Sequence, residues 1–237
     1  MQNKICIPVF AVILFIAASC SSKMGIDVAE NGDISSNMSI KITEMFLNYM
    51  DDLSEAMGIK KSTNSYFDTQ QIRNAFASFD NVTLQEVSTP TRYDLNLRFT
   101  VKNDAKGVSE ATHGILDLSE SRGNKKIEFL LDIDKYRIIS QRFAIEENPI
   151  LSRLAPYPEH PFTEAEYLDT ADFVFSEYSK DALSIIKNSF VDIEINVKGR
   201  IISARGGKIS GSKAVFSIPV VKFLTLYEPI HLEVIYR

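Results

Sequence analysis

Hydrophobic positions along the chain recur with two periods, and the changes of period mark the elements. Tyr93, Leu95, Leu97, Phe99 and Val101 alternate with Asp94, Asn96, Arg98, Thr100 and Lys102. Period two sustained over ten residues predicts a half-buried strand. Residues 82–87 are its predicted hairpin partner, with a turn at Thr89-Pro90-Thr91. Upstream, Asn31-Gly32 separates two further runs, 25–30 and 34–42. Asn and Gly both accept the positive φ of a type I′ turn, so a hairpin is predicted there. Phe46, Met50, Leu53 and Met57 then recur at spacings of four and three, and Gly58 stops that helix. A second helix opens at Asp68, an N-cap with Gln71 three residues on, and Phe67 and Ile72 hold the two positions of a hydrophobic staple. Its apolar stripe is Ile72, Ala75, Phe76 and Phe79.

Residues 111–118 and 126–131 predict another strand pair around Ser121-Arg122-Gly123-Asn124. Asp134 is expected to cap a short helix carrying Tyr136, Ile139 and Phe143. Pro149, Pro156, Pro158 and Pro161 exclude a regular element, so 149–162 reads as a crossover. Thr163 and Glu166 then form a capping box, with Phe162 and Tyr167 as its staple. The stripe Tyr167, Ala171, Val174, Phe175 and Tyr178 predicts a helix, and a shorter one is expected over 181–188. Beyond it the chain is β. Val191, Ile193, Ile195 and Val197 alternate with polar residues, as do Ala214, Phe216 and Ile218, then Ile230, Leu232, Val234 and Tyr236. Gly206-Gly207 marks a turn, while residues 220–226 are apolar without a decisive period and stay unassigned. Strands joined by short turns outnumber helices. The expected class is α+β: a mainly antiparallel β-sheet with helices packed on one face, and a β-rich C-terminal segment.

The N-terminus departs from this pattern. Lys4 precedes an apolar run over 5–16, broken only by Pro8, and Ala17-Ala18-Ser19 leads to Cys20. This is the n-, h- and c-region order of a secretory signal. The run is shorter than the roughly 20 residues of a membrane-spanning helix. Ala17-Ala18-Ser19-Cys20 resembles a bacterial lipobox, in the relaxed form of spirochaetal lipoproteins, with Ala17 where Leu is usual. The resemblance implies cleavage before Cys20 by signal peptidase II, fatty acylation of Cys20 of the palmitate kind, and residence in the cell envelope as a lipid-anchored protein. Without it, the same run reads as an ordinary signal peptide cut after Ser19, or as an uncleaved apolar N-terminus. The expected organisation is a signal peptide over 1–19, a lipidated tether over 20–24 and an N-terminal α+β region over 25–148. The crossover follows over 149–162, then a helix and antiparallel strands over 163–237, possible as one continuous domain with the N-terminal region.

Composition narrows the function classes. With 45% hydrophobic and 24% charged residues, the chain is globular rather than disordered. A net charge of −5 argues against a nucleic-acid partner. Cys6 leaves with the signal and Cys20 becomes the anchor, so the mature domain has no thiol for a disulfide or a nucleophile. His113, His160 and His231 show no i, i+4 pair and no nearby cysteine. A zinc site would have to be assembled from distant segments with carboxylates. His160, in the crossover, and His231, on the outward face of the last strand, read as solvated. Asp132-Ile133-Asp134 lacks the Gly and distal Glu of a calcium loop and reads as a strand end and a helix cap. Gly206-Gly207-Lys208 has Ile202 where a phosphate loop needs Gly and Ile209 where it needs Ser or Thr, so it reads as a hairpin turn. No Gly-x-Ser-x-Gly elbow is present. No metal, cofactor or catalytic residue is assigned.

Two features remain. Most of the fifteen Phe and nine Tyr fall on inward faces, but Tyr157, Phe162 and Tyr227 lie at loops or element ends, where they could line an apolar cleft. Lys198, Arg200, Arg205, Lys208 and Lys213 give the last sheet a positive end. The leading expectation is a non-enzymatic binding or interaction domain held to a membrane through Cys20. Its partner would be an envelope protein or an amphiphile, with the apolar body against Phe and Tyr and an anionic head near Arg200, Arg205 or Lys208. The alternative is an envelope hydrolase with a site assembled from distant segments, recognisable by a deep cleft with paired acids or a Ser–His contact. Residues 191–237 also resemble the C-terminal part of LppM-type envelope lipoproteins: an alternating strand, Gly199, Gly206-Gly207, Gly211, and strands at 214–218 and 230–236. That resemblance implies a membrane-anchored domain of mixed sheet and helices with lipid association, and it brings no catalytic residue.

Overall fold

In the computed structural model, which describes residues 19–58, 67–77, 79–142 and 156–237, the Asn31-Gly32 turn joins β1 (Ser19–Val28) to β2 (Ile34–Ile42). Gly32 takes φ +86, as the turn requires. The strand begins earlier than expected. Residues 20–24, read as a tether, belong to β1, which pairs antiparallel with β2 and parallel with β7 (Phe190–Val197). The polar run Ser21-Ser22-Lys23 hides a strand because its outward positions, Ser21 and Lys23, meet solvent while Ser22 turns inward and is buried. Residues 1–18 of the signal, 143–148 with Phe143, and 149–155 of the crossover with Pro149 lie outside the described residues.

The large sheet has the order β3-β4-β2-β1-β7-β10-β9. Here β3 is Val82–Ser88, β4 Asp94–Val101, β9 Lys208–Ser210 and β10 Lys213–Pro219. The β1–β7 pair is parallel and its other pairs are antiparallel. A smaller antiparallel sheet runs β5 (Leu116–Ser121), β6 (Asn124–Leu131), β11 (Ile230–Tyr236), β8 (Ile201–Arg205). The architecture is therefore α+β and rich in β. Each sheet joins a block of strands from before the crossover to a block from after it, β1 to β7 in the large sheet and β6 to β11 in the small one, and their inward residues share one core.

Burial follows the alternation read from the sequence. On β2, Ile34, Ser36, Met38, Ile40 and Ile42 point inward, and Asn37, Ser39 and Lys41 are exposed. The outer face of the large sheet thus stays open and polar. The inner face is covered partly by helices and partly by the small sheet. Helix α1 (Glu44–Ala56) packs on α5 (Glu164–Phe175) through Phe46 and Phe175, whose ring centroids are 4.7 Å apart. Full burial of Phe46 contributes roughly 1.5–3 kcal/mol. Helices α6 (Ala182–Lys187) and α7 (Val220–Thr225) join this layer.

Both N-caps form, but of the two expected capping boxes only the one at Thr163 and Glu166 is reciprocal. Asp68 accepts from the backbone N–H of Gln70 and Gln71 at the start of α2 (Thr69–Phe76), with Phe67 and Ile72 buried beside it. Thr163 and Glu166 bond reciprocally at the start of α5, although Phe162 stays 42% exposed. Two local expectations are corrected. The strand expected over 111–118 begins only at Leu116, and residue 111 ends helix α3 (Ala105–Ala111), which starts where the Asp104 carboxylate accepts from the Gly107 N–H. Helix α4 (Ile133–Arg142) is capped by Asp132, which accepts from the Lys135 N–H, while Asp134 pairs with Arg137. The unassigned segment 220–226 is α7. Five of its six residues are buried, so no polar face gives it a helical period.

Candidate functional site

Where the two sheets face each other they do not touch throughout. Between them lies a cavity of about 130 Å³. One wall comes from the large sheet: Met24 and Ile26 of β1, Ile193 and Ile195 of β7, Phe99 of β4 and Phe216 of β10. The facing wall comes from the small sheet: Leu116, Ile127, Phe129, Leu232 and Val234. Phe76 of α2 and Phe223 of α7 complete the lining.

Met24, Ile26 and Ile193 occupy inward positions on central strands, yet each is only half-buried. They pack against the core and also line the cavity. The register places Ile193 between Met24 and Phe216, so these three form one apolar row across the large sheet. The polar liners are Thr112 and Glu233. The Thr112 hydroxyl is already used: it donates to the Val108 carbonyl at 2.8 Å and accepts from the Leu116 N–H at 3.1 Å. The Glu233 carboxylate lies near Glu128 and His231 instead. The cavity therefore offers dispersion and dryness and no hydrogen bond that a polar ligand would need. Apolar cavities of this size stay free of water and accept apolar molecules.

No protein-family model and no curated protein matches the chain. Among solved structures, the folded domain of the Mycobacterium tuberculosis protein LppM is similar at 10% identity and a TM-score of 0.40, over 92% of this chain and 88% of that one. Leukotriene A4 hydrolase from Saccharomyces cerevisiae is similar at 11% identity and a TM-score of 0.33, over 92% of this chain and 28% of the hydrolase. The chain thus spans 28% of the length of the hydrolase. Likenesses at these TM-scores assign neither a fold family nor an activity.

The structure separates the residues expected to form one site. Tyr157, Phe162 and Tyr227 stand on the surface, and none of them lines the cavity. Its aromatic walls are five phenylalanines, of which Phe76, Phe99 and Phe216 read from the sequence as ordinary core or stripe positions. Arg205 and Lys208 flank Gly206-Gly207, where the chain passes from the small sheet to the large one. That link packs against Phe216, which lines the cavity. A Cβ on Gly207 would stand 2.6 Å from the Phe216 ring, so only glycine fits. The two cations point elsewhere. Arg205 is registered opposite Glu233 and Lys208 opposite Val215, on the outer faces of their sheets. Arg200 sits at the far end of β8, where its N–H donates to the Arg237 carbonyl. The three basic residues do not converge, and none faces the cavity.

His231 does fall on the outward face of β11, as alternation required, but it is not freely solvated. Its Nε2 lies 2.7 Å from Glu128 Oε1, and Lys126 Nζ lies 2.6 Å from Glu128 Oε2. The Lys126 ammonium first, and His231 as well, hold the Glu128 carboxyl below the ordinary carboxylate range against an opposing desolvation. Its hydrogen bond to Glu128 raises Lys126 in turn, with Asp117 and Glu233 adding to the effect. Sequence reasoning missed Glu128 because only the β6–β11 register brings it to His231.

Proposed function

We propose that this chain is an envelope lipoprotein, anchored through an acylated Cys20, whose folded domain binds the apolar body of an amphiphile between its two sheets. The observation that carries the reading is the apolar cavity of about 130 Å³. An empty space lined by Met24, Ile26, Ile193 and Phe216 is costly to leave unfilled, and an apolar group recovers the lost contacts. The ligand's head group would lie outside the cavity, in solvent. Because β1 starts at Ser19, acylation of Cys20 would leave no flexible spacer, and the end of the central strand would meet the bilayer.

The chain is proposed to act without catalysis. A hydrolase would draw on the contact between His231 and Glu128. Among the described residues, however, the cavity liners include no Ser, Cys or His, the Thr112 hydroxyl is held by backbone hydrogen bonds, and the Glu233 carboxylate lies with Glu128 and His231. The test is organic extraction of the full chain carrying Cys20→Ala, purified from cells in mild detergent. Removing the covalent lipid leaves only non-covalent ligand to be seen by mass spectrometry. Co-extraction of a defined amphiphile supports the reading. Absence of any, together with no uptake of an apolar fluorescent probe, would leave only a protein-interaction role.

A further inference from the structure

The outer face of the small sheet holds a group of side chains that the cavity does not use. Alternation on β11 puts His231 and Glu233 on one face, two residues apart. The register then sets Glu128 of β6 directly opposite Glu233 and diagonal to His231. One nitrogen and two carboxylate oxygens from these residues lie within 4.8 Å of one another. Ligands of a single zinc-like ion stand about 2.0–2.2 Å from it, hence roughly 3 to 4 Å from each other. Rotamer adjustments of about an ångström or less would close the gap. All three residues are half-buried and stand on strands, which fix ligand positions better than loops do.

The charges around the group give a second, independent reason. Asp117 of β5, Glu128 and Glu233 follow one another straight across three strands. Like charges placed directly opposite in a sheet destabilise it. The face also presents Ser119, Lys126, Ser203 and Arg205. Three carboxylates therefore meet two permanent cations, and with a neutral imidazole the face keeps a negative charge. Lys126 holds Glu128 through Oε2, leaving Oε1 turned toward His231. An ion between His231 and Oε1 would replace that hydrogen bond with the Nε2 lone pair.

We propose that Glu128, His231 and Glu233 form a site for a borderline divalent transition metal of the zinc type. An imidazole with two carboxylates suits such an ion, whereas magnesium and calcium prefer all-oxygen sets. Three protein ligands leave at least one position for water. Lys126, bonded to Oε2 of Glu128, places a positive charge beside the ion that weakens its binding.

The test is titration of the full chain in detergent with Co²⁺, followed by its visible absorption, and then displacement by Zn²⁺. Saturation at one equivalent is expected, with Mg²⁺ unable to compete. His231→Asn and Glu233→Gln should each weaken binding about tenfold or more. Lys126→Met should tighten it several-fold by removing the adjacent positive charge, whereas a site held together only by ion pairs would gain nothing. A readout on the unaltered chain needs no variant to fold: added Mn²⁺ should broaden the His231 ring protons in NMR spectra before those of His113 and His160. No saturable uptake, uptake undiminished in both ligand variants, or uniform broadening of the histidines would overturn the assignment.

Discussion

Replacing Ile193 by Trp should fill the space between the sheets, stabilise the ligand-free domain and abolish ligand uptake. Ile193 sits on central strand β7, between Met24 and Phe216, and is half-buried because it faces the cavity. At about 24 cal/mol per Å³, a void of about 130 Å³ costs about 3 kcal/mol relative to a filled interior. An indole occupying half of it would recover about 1.5 kcal/mol, which for a chain of this size raises Tm by about 3–6 °C. If the gap were already closed, the same ring would be overpacked and destabilise by about 1–3 kcal/mol. The sign of the change thus reports whether the space exists. Calorimetric melting of the ligand-free chain gives the first quantity. Fluorescence of N-phenylnaphthylamine, displaced by dodecanoate, gives the second. A higher Tm with probe binding weakened tenfold or more is expected. A lower Tm with probe binding unchanged would refute the reasoning.

Cys20→Ala should end metabolic labelling by radioactive palmitate and release the chain from membranes; continued labelling would remove the anchor from the account. Ser36→Ala should stabilise the fold by about 1 kcal/mol in urea denaturation, because its hydroxyl is fully buried without a hydrogen-bond partner among the described residues. A loss of stability there would mean that the hydroxyl has a partner, such as an ordered water. The lowered folded pKa of Glu128 means that its contribution is present above the unfolded value near 4.5 and is lost as pH falls through the folded value. Glu128→Gln should therefore flatten the decline in stability on acidification below about pH 5, read from melts across pH, and an unchanged acid limb would show that Glu128 is not coupled to folding.

Elements set by local chemistry were legible in the sequence. The Asn31-Gly32 turn, the Asp68 and Thr163 caps and the alternation at 93–102 each rest on neighbours a few residues apart. Helix α7 was not, since burial on every side erases the contrast that a period needs. Nor was the start of β1, where two serines serve one buried and one exposed position. The candidate site depends on non-local pairing. The parallel match of Met24 with Ile193, and the β6–β11 register that joins Glu128 to His231, link segments about 100 residues apart or more. Alternation placed His231 on the correct face but could not say what else stood there. Loop aromatics looked suited to a cleft because they lacked a packing role. The real cavity is lined by phenylalanines whose core role seemed complete.

The most direct measurement is of intermolecular nuclear Overhauser effects between a bound amphiphile and the methyl groups of the Cys20→Ala chain. With dodecanoate as the probe, acyl protons should contact the methyls of Met24, Ile26 and Ile193, and these contacts should vanish in the Ile193→Trp variant. Contacts confined to surface residues such as Phe173, 84% exposed on α5, or no contacts under saturating dodecanoate, would contradict the claim that the space between the sheets is a binding site.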